Sequence, residues 1–412
     1  MFRVFLIASL IIFLTFDIFS QQVETLTEPF NGSGGIAVDK SGVLYVGNFG
    51  SGFGSSDGNN LFKVYSDGTV EEFATGFNGA SGNAVDSDGN VYQANINNNT
   101  VSKVSSTGEV TQFANSKLYY PVGVAVDSKS NVYVSNCGVD PTGKSTITKI
   151  TPDGTTSKFA SSTAFDCPNG LTVDENDNLY TCNYNNGKVF KINTDGSVEL
   201  IATLPDNNNS HLVYANNSLY VAKRCANKIY RVLLDGTYYL IAGTGIRGND
   251  DGDPLSATIN LPNGVSVSPD GDTLYFTSKT SFNGACFDTD LNPVLVRMIT
   301  GLKSITGVND MGEIPTKLKL EQNYPNPFNP TTKISFSLPS PSQGDGSGVR
   351  STKVTLKVYD VLGNEIATLV NEEKSAGNYE VEFDGSNLSS GVYYYQIRTG
   401  SFIDTKKFVL LK

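Results

Sequence analysis

Read for apolar and polar positions, the chain repeats one short figure. Three or four residues end on valine, a polar turn follows, and a second apolar run is centred on tyrosine. The figure appears as G-I-A-V-D-K-S-G-V-L-Y-V-G-N (35–48), G-N-A-V-D-S-D-G-N-V-Y-Q-A-N (82–95), G-V-A-V-D-S-K-S-N-V-Y-V-S-N (123–136) and G-L-T-V-D-E-N-D-N-L-Y-T-C-N (170–183). A decayed fifth copy is S-H-L-V-Y-A-N-N-S-L-Y-V-A-K (210–223), and a sixth, G-V-S-V-S-P-D-G-D-T-L-Y-F-T-S (264–278), has one extra residue. Two more alternating runs follow each copy, as in T-V-S-K-V-S-S-T-G-E-V-T-Q-F-A (100–114), and their T-G or D-G pairs are hairpin signals because glycine tolerates positive φ. Four antiparallel strands recurring about every 40 to 54 residues predict the blades of a β-propeller.

The ends of the repeat region predict how the ring closes. The sixth copy has a third strand near 293–298 and no convincing fourth, while Q-V-E-T-L-T-E-P-F-N-G (22–32) mirrors T-V-E-E-F-A-T-G-F-N-G (69–79), the fourth strand of the first full copy. The expected fold is therefore all-β: a six-bladed β-propeller over residues 22–300, closed by an N-terminal strand that removes an open sheet edge. A polar linker is expected over 301–316. Six further alternating runs between 333 and 412 then predict a small C-terminal β-sandwich over 317–412.

Residues 1–20, with Arg3 ahead of an apolar run from Val4 to Phe16 and Ser20 before Gln21, read as a secretory signal peptide. No later segment is long enough to span a bilayer as a helix. A net charge of −11 argues against a nucleic-acid partner, which would need a basic face. Export permits disulfides. By their loop positions the expected pairs are Cys137 with Cys167 and Cys225 with Cys286, leaving Cys182 as a buried thiol.

In such a blade the residues before the first strand and after the second share one face. The first-strand column, counted back from the turn, reads Gly34, Ser81, Val122, Asn169, Asn209 and Asn263. The second-strand column, three residues past each tyrosine, reads Asn48, Asn95, Asn136, Asn183, Lys223 and Ser278. Asparagine here serves turn chemistry or ligand binding, since it tolerates left-handed backbone and its amide both donates and accepts. His211, the only histidine, is counted onto the same strand position as Val124 and Leu171 and reads as structural. The acidic run N-D-D-G-D (249–253) lacks the spacing of an EF-hand and reads as a solvated loop. Asp39, Asp86, Asp127 and Asp174 fall on the opposite face as turn formers.

The G-x-A-V-D…x-V-Y-V blocks and A-G-T-G-I-R-G-N-D-D-G-D-P…L-P-N-G-V-S-V-S-P-D-G (242–271) resemble NHL-repeat propellers and, more loosely, the gluconolactonase (senescence-marker-protein) family. The second resemblance implies a divalent cation such as calcium, held in the first-strand column by a glutamate, the asparagine of an N-G pair and an aspartate. Here those positions are Gly34, Asn169 and Asn209, with Asp166 as a substitute carboxylate. The missing carboxylates weaken the cation site and take away the general base. At the other end, L-E-Q-N-Y-P-N-P-F-N-P-T-T-K-I-S-F-S-L-P, V-Y-D-V-L-G-N-E, S-S-G-V-Y-Y-Y and T-K-K-F-V-L-L-K resemble the type A C-terminal sorting domain of the type IX (Por) secretion system of Bacteroidetes. That resemblance implies the type IX machinery as a partner of 317–412, and delivery to the outer-membrane surface or the medium by way of the periplasm. Two functions remain open: a binding propeller for a glycan, peptide or protein on its asparagine-rich face, and a metal-dependent lactonase-like hydrolase.

Overall fold

Residues 21–52, 54–282, 285–286, 291–304, 318–338, 351–375, 377–400 and 402–412 are described by a computed structural model. The expected signal peptide and most of the linker lie outside them. Among the described residues of the repeat region there are six four-stranded antiparallel sheets. The fourth is representative: Pro168–Val173, Leu179–Asn183, Lys188–Ile192 and Val198–Thr203 pair in sequence order. The other first strands are Ile36–Val38, Ala80–Val85, Pro121–Val126, Asn209–Ala215 and Val265–Val267. Each touches the next, and the last touches the first.

A cross-strand contact explains the A-V-D…V-Y figure. Asp127 accepts from the Lys129 and Asn131 amides (2.9 and 2.8 Å), from the Asn131 side chain (2.7 Å) and from the Tyr133 hydroxyl (3.2 Å). The same aspartate-to-tyrosine bond joins Asp39 to Tyr45, Asp86 to Tyr92 and Asp174 to Tyr180. Burial and the neighbouring carboxylate push the phenols of Tyr45 and Tyr92 up to about 12. The aspartates thus close the turn and orient the tyrosine ring in the layer between neighbouring sheets.

The strand Val23–Thr25 pairs with Val294–Ile299 of the sixth sheet, Val23 opposite Ile299 and Thr25 opposite Arg297. The acidic run at 249–253 fastens this pairing. Gly252 exchanges two backbone bonds with Val23, and Asp251 accepts from the Thr25 amide and hydroxyl (2.9 and 3.0 Å). Asp251 also receives the guanidinium of Arg297 at 2.7 Å, and the carbonyls of Asp250 and Thr258 each accept another Arg297 N–H. Arg297 is fully buried. The loop read as solvated acid therefore does hold a cation, one supplied by the chain itself.

The C-terminal residues form a three-stranded sheet (Lys319–Leu320, Thr331–Leu338, Gly377–Asp384) and a four-stranded sheet in the order Glu365–Ser375, Ser351–Tyr359, Gly391–Thr399, Phe402–Leu410. Ile334, Phe336, Leu356, Tyr395 and Phe408 lie in the core between them. The proline cluster folds back onto the last strand: Phe328 donates to the Val409 carbonyl and accepts from the Leu411 amide. It covers the outer edge of that strand, and edges left bare invite pairing with other chains.

Candidate functional site

The first strands converge on the axis, where their closeness dictates side-chain size. Strand pairing places Gly35, Gly82, Gly123, Gly170 and Gly264 at one level. A Cβ at Gly123 would lie 2.4 Å from the Asn169 carbonyl, and one at Gly170 would lie 2.6 Å from the Leu212 amide. Neighbouring backbones therefore meet with no room for side chains. The fifth sheet is the exception, and His211 stands at its axial level.

This corrects the position read by counting from the turn. In the fourth sheet Thr172 pairs with Tyr180, eight residues on, whereas in the fifth Val213 pairs with Tyr220, seven residues on. The five residues between Val173 and Leu179 have become four between Tyr214 and Leu219, and the central two, Asn216 and Asn217, are at positive φ, the backbone of a tight hairpin. One residue is lost, so His211 aligns with Gly170 rather than Leu171, and Ser210 rather than Asn209 is the counterpart of Asn169.

Above this level lies a cavity of about 720 Å3, whose lining includes Ser81, Val122, Asp166, Asn169, His211 and Asn263. Phe49, Ile96, Val139, Phe165 and Leu291 supply apolar wall, and Lys144 and Arg224 supply cationic groups. The His211 ring reaches across the axis: its Cε1 is 3.1 Å from where a Cβ at Gly82 would stand. His211 is 8% exposed, and no hydrogen bond is formed by its imidazole. Burial pushes its pKa down to about 4, so the ring is neutral at neutral pH.

The sequence-predicted residues divide sharply. Asn169 lines the cavity, and its Oδ1 is buried with no hydrogen-bond partner. Asn263 lines it too, but its amide oxygen accepts from the Ser210 hydroxyl and its amide nitrogen donates to the Ser33 carbonyl. Asp166 is an exposed lining residue that accepts from Asn185 at 2.7 Å. Asn209 is fully buried outside the lining, where its Oδ1 takes the Lys223 ammonium at 2.8 Å. Lys223 also donates to the Asp206 carbonyl at 2.6 Å.

The second-strand asparagines bond loop backbone and side chains, although the Asn183 Oδ1 is buried without a partner. Asn48 bonds Asp57 and Gly50, Asn95 bonds Thr100 and Ser102, and Asn136 bonds Tyr119 and Thr148. Asn183 donates to the Ala164 carbonyl. None of the four lines the cavity. They pin the loops that shape it.

The donor set does not fit calcium, which takes six to eight oxygens with several carboxylates. Among the described residues no three His, Cys, Asp or Glu are grouped to hold a metal. Asn209 faces an ammonium, and the glutamate position is glycine. Two disulfides are present: Cys137–Cys167 and Cys225–Cys286. The first lies in the cavity wall and ties the loop 137–145 to the loop 162–167. Cys182 is buried, and burial raises its thiol to about 12.

Comparison with known proteins places these features. Residues 53–281 match the Virginiamycin B lyase family, and residues 322–411 match the secretion system C-terminal sorting domain. Among solved structures, a protein of unknown function from Bacteroides thetaiotaomicron is 14% identical with a TM-score of 0.54, over 68% of this chain and 76% of that one. A luciferin-regenerating enzyme is 15% identical with a TM-score of 0.52, over 68% and 95%. A gluconolactonase of Xanthomonas campestris is 15% identical with a TM-score of 0.50, over 68% and 89%. At these identities the likeness is one of fold, the β-propeller. No curated protein matches the chain. Among the described residues no helix is long and apolar enough to cross a membrane.

Proposed function

The chain belongs to the virginiamycin B lyase family, and from that premise we propose that it is an exported propeller that captures its ligand in the axial cavity. In this reading residues 22–300 are six blades closed by the N-terminal strand, 301–316 are a linker, and 317–412 are the sorting domain. The sorting tail implies secretion through the type IX system to the cell surface or the medium.

One observation carries the reading. The cavity has an apolar wall, and the His211 ring, which forms no hydrogen bond within the protein, stands at its axial end. Such a cavity has the size and mixed character of small-ligand sites. A glycan held on the asparagine ring loses support, because Asn48, Asn95, Asn136, Asn209 and Asn263 already hold bonds within the protein. A small molecule or a short peptide segment fits better than an extended surface contact. Thermal-shift screening of a metabolite and peptide library is the test. Ligands that stabilise the native chain lose their effect in Val139→Trp, which narrows the mouth; a shift that survives this change places the ligand elsewhere.

A second reading, a lyase or lactonase-like hydrolase, is favoured by the family and by the neutral imidazole facing the cavity. A neutral histidine within reach of a substrate C–H or water is a competent general base. Turnover of a panel of lactones and cyclic esters would then vanish in His211→Gln. Equal turnover by wild type and variant eliminates this reading, and calcium is expected to change neither rate nor melting temperature.

A further inference from the structure

We propose that the cavity takes an organic carboxylate. Its two oxygens are held at the axial end by the Asn169 amide nitrogen, the Ser81 hydroxyl and an N–H of the His211 ring. Its apolar body lies against Ile96, Val139 and Phe165. The inference rests on the reading of the cavity as the binding site, and it names the chemical class that this site takes.

The polarity of the groups left over leads there. The Asn169 amide nitrogen and the Ser81 hydroxyl line the cavity, form no hydrogen bond, and are not shut away as Asn169 Oδ1 is. Ser81 is 4% exposed, so its hydroxyl has the cavity alone to turn to. The His211 ring lies between the two. Its Cε1 is 3.1 Å from where a Cβ would stand at Gly82, the neighbour of Ser81, and its Cα is 2.8 Å from the same point at Gly170, the neighbour of Asn169. An amide nitrogen only donates, a hydroxyl can turn to donate, and a neutral imidazole donates once. Asn263 adds nothing to the set, since both ends of its amide are used on Ser210 and Ser33.

Number and charge narrow the class. Three donor groups outnumber the two lone pairs of a single carbonyl oxygen, whereas a carboxylate accepts at about four positions. The chain as a whole carries a net charge of −11. Its cavity runs against that balance, with Lys144 and Arg224 in the lining against one carboxylate, Asp166. The Lys144 ammonium is held by no hydrogen bond or ion pair among the described residues. Asp166 is exposed, and it accepts from Asn185 and Asn186 at 2.7 and 3.5 Å. An ammonium head would meet two cations at the wall and donors at the axis. A carboxylate meets both favourably, and its bonds are charge-assisted, about twice as strong as neutral ones. The apolar wall answers to a ring or branched alkyl body.

Isothermal titration of the intact protein with naphthalene probes of one shape is the test. 2-Naphthoate is expected to bind, and 2-naphthamide, which keeps one carbonyl oxygen and loses the charge, to bind about tenfold more weakly. 2-Naphthylmethylammonium is expected to bind more weakly still. Asn169→Asp, which puts a carboxylate in place of the amide donor, should erase the preference for the naphthoate over the naphthamide. If the naphthamide or the ammonium compound binds wild type as tightly as 2-naphthoate, while Val139→Trp still abolishes binding, the carboxylate assignment is overturned and the cavity reading stands. If no probe binds, or Val139→Trp changes nothing, the cavity reading falls and takes the inference with it. The comparison among probes is made on the wild-type protein, so it holds even if Asn169→Asp folds poorly.

Discussion

His211 concentrates what single residues decide here. Its folded pKa of about 4 lies below the ordinary 6.5, so between those values the unfolded chain binds a proton that the folded chain does not. Stability therefore falls as pH drops from about 6.5 towards about 4. The loss is about 3 kcal/mol, an upper bound because the ring borders a cavity that solvent can enter. Urea midpoints at pH 7 and pH 4.5 should separate more for the wild type than for His211→Gln. An equal separation would show that the ring is already solvated. The repeat tyrosines offer a second check. Tyr133→Phe removes one bond to Asp127 and should cost about 1 kcal/mol, whereas Asp127→Ala strands several donors at once and should cost about 3 kcal/mol. Similar losses for the two variants would contradict the carboxylate-centred turn.

At the scale of the strand, the joint between Val23–Thr25 and the sixth sheet is testable through Asp251. Asp251→Ala leaves the buried Arg297 without its carboxylate and should destabilise by about 2 kcal/mol. That is less than for a fully buried pair, because the Asp251 side chain is 43% exposed. A loss confined to a few tenths would mean that the carbonyls of Asp250 and Thr258 suffice for the guanidinium. The sheets themselves were legible from sequence, since a period of two with turn pairs at regular spacing leaves little choice. The pairing partner of the first strand was legible too, from its likeness to 69–79. The axial residue was not. Counting back from the turn assumed a constant turn length, and the missing residue before Asn216 moved Asn209 out of the column and His211 into it. Nor could spacing reveal that Lys223 would bond Asn209, or that Asn48, Asn95 and Asn136 would be taken up by the loops they anchor.

For the molecule as a whole, the cavity depends on covalent as well as packed support. Cys137–Cys167 closes a loop of 30 residues and Cys225–Cys286 one of 61, each worth about 3–4 kcal/mol by loop closure. Replacing Cys137 and Cys167 together by serine should lower stability by about 3 kcal/mol and weaken the binding of ligands found by the thermal-shift screen, because the two loops they join carry one wall. Losing Cys225 and Cys286 should lower stability and spare binding. Equal effects on binding would show that the wall is held by packing alone. The shortened hairpin of the fifth sheet has a wider bearing. A strand anchored by its far turn shifts when that turn gains or loses a residue, and a shift of one exchanges which side chains face inward. Descent can therefore alter what such a protein accepts without touching any residue of the binding surface. Two relatives written identically around the cavity, but differing by one codon at the opposite pole, are expected to select different molecules.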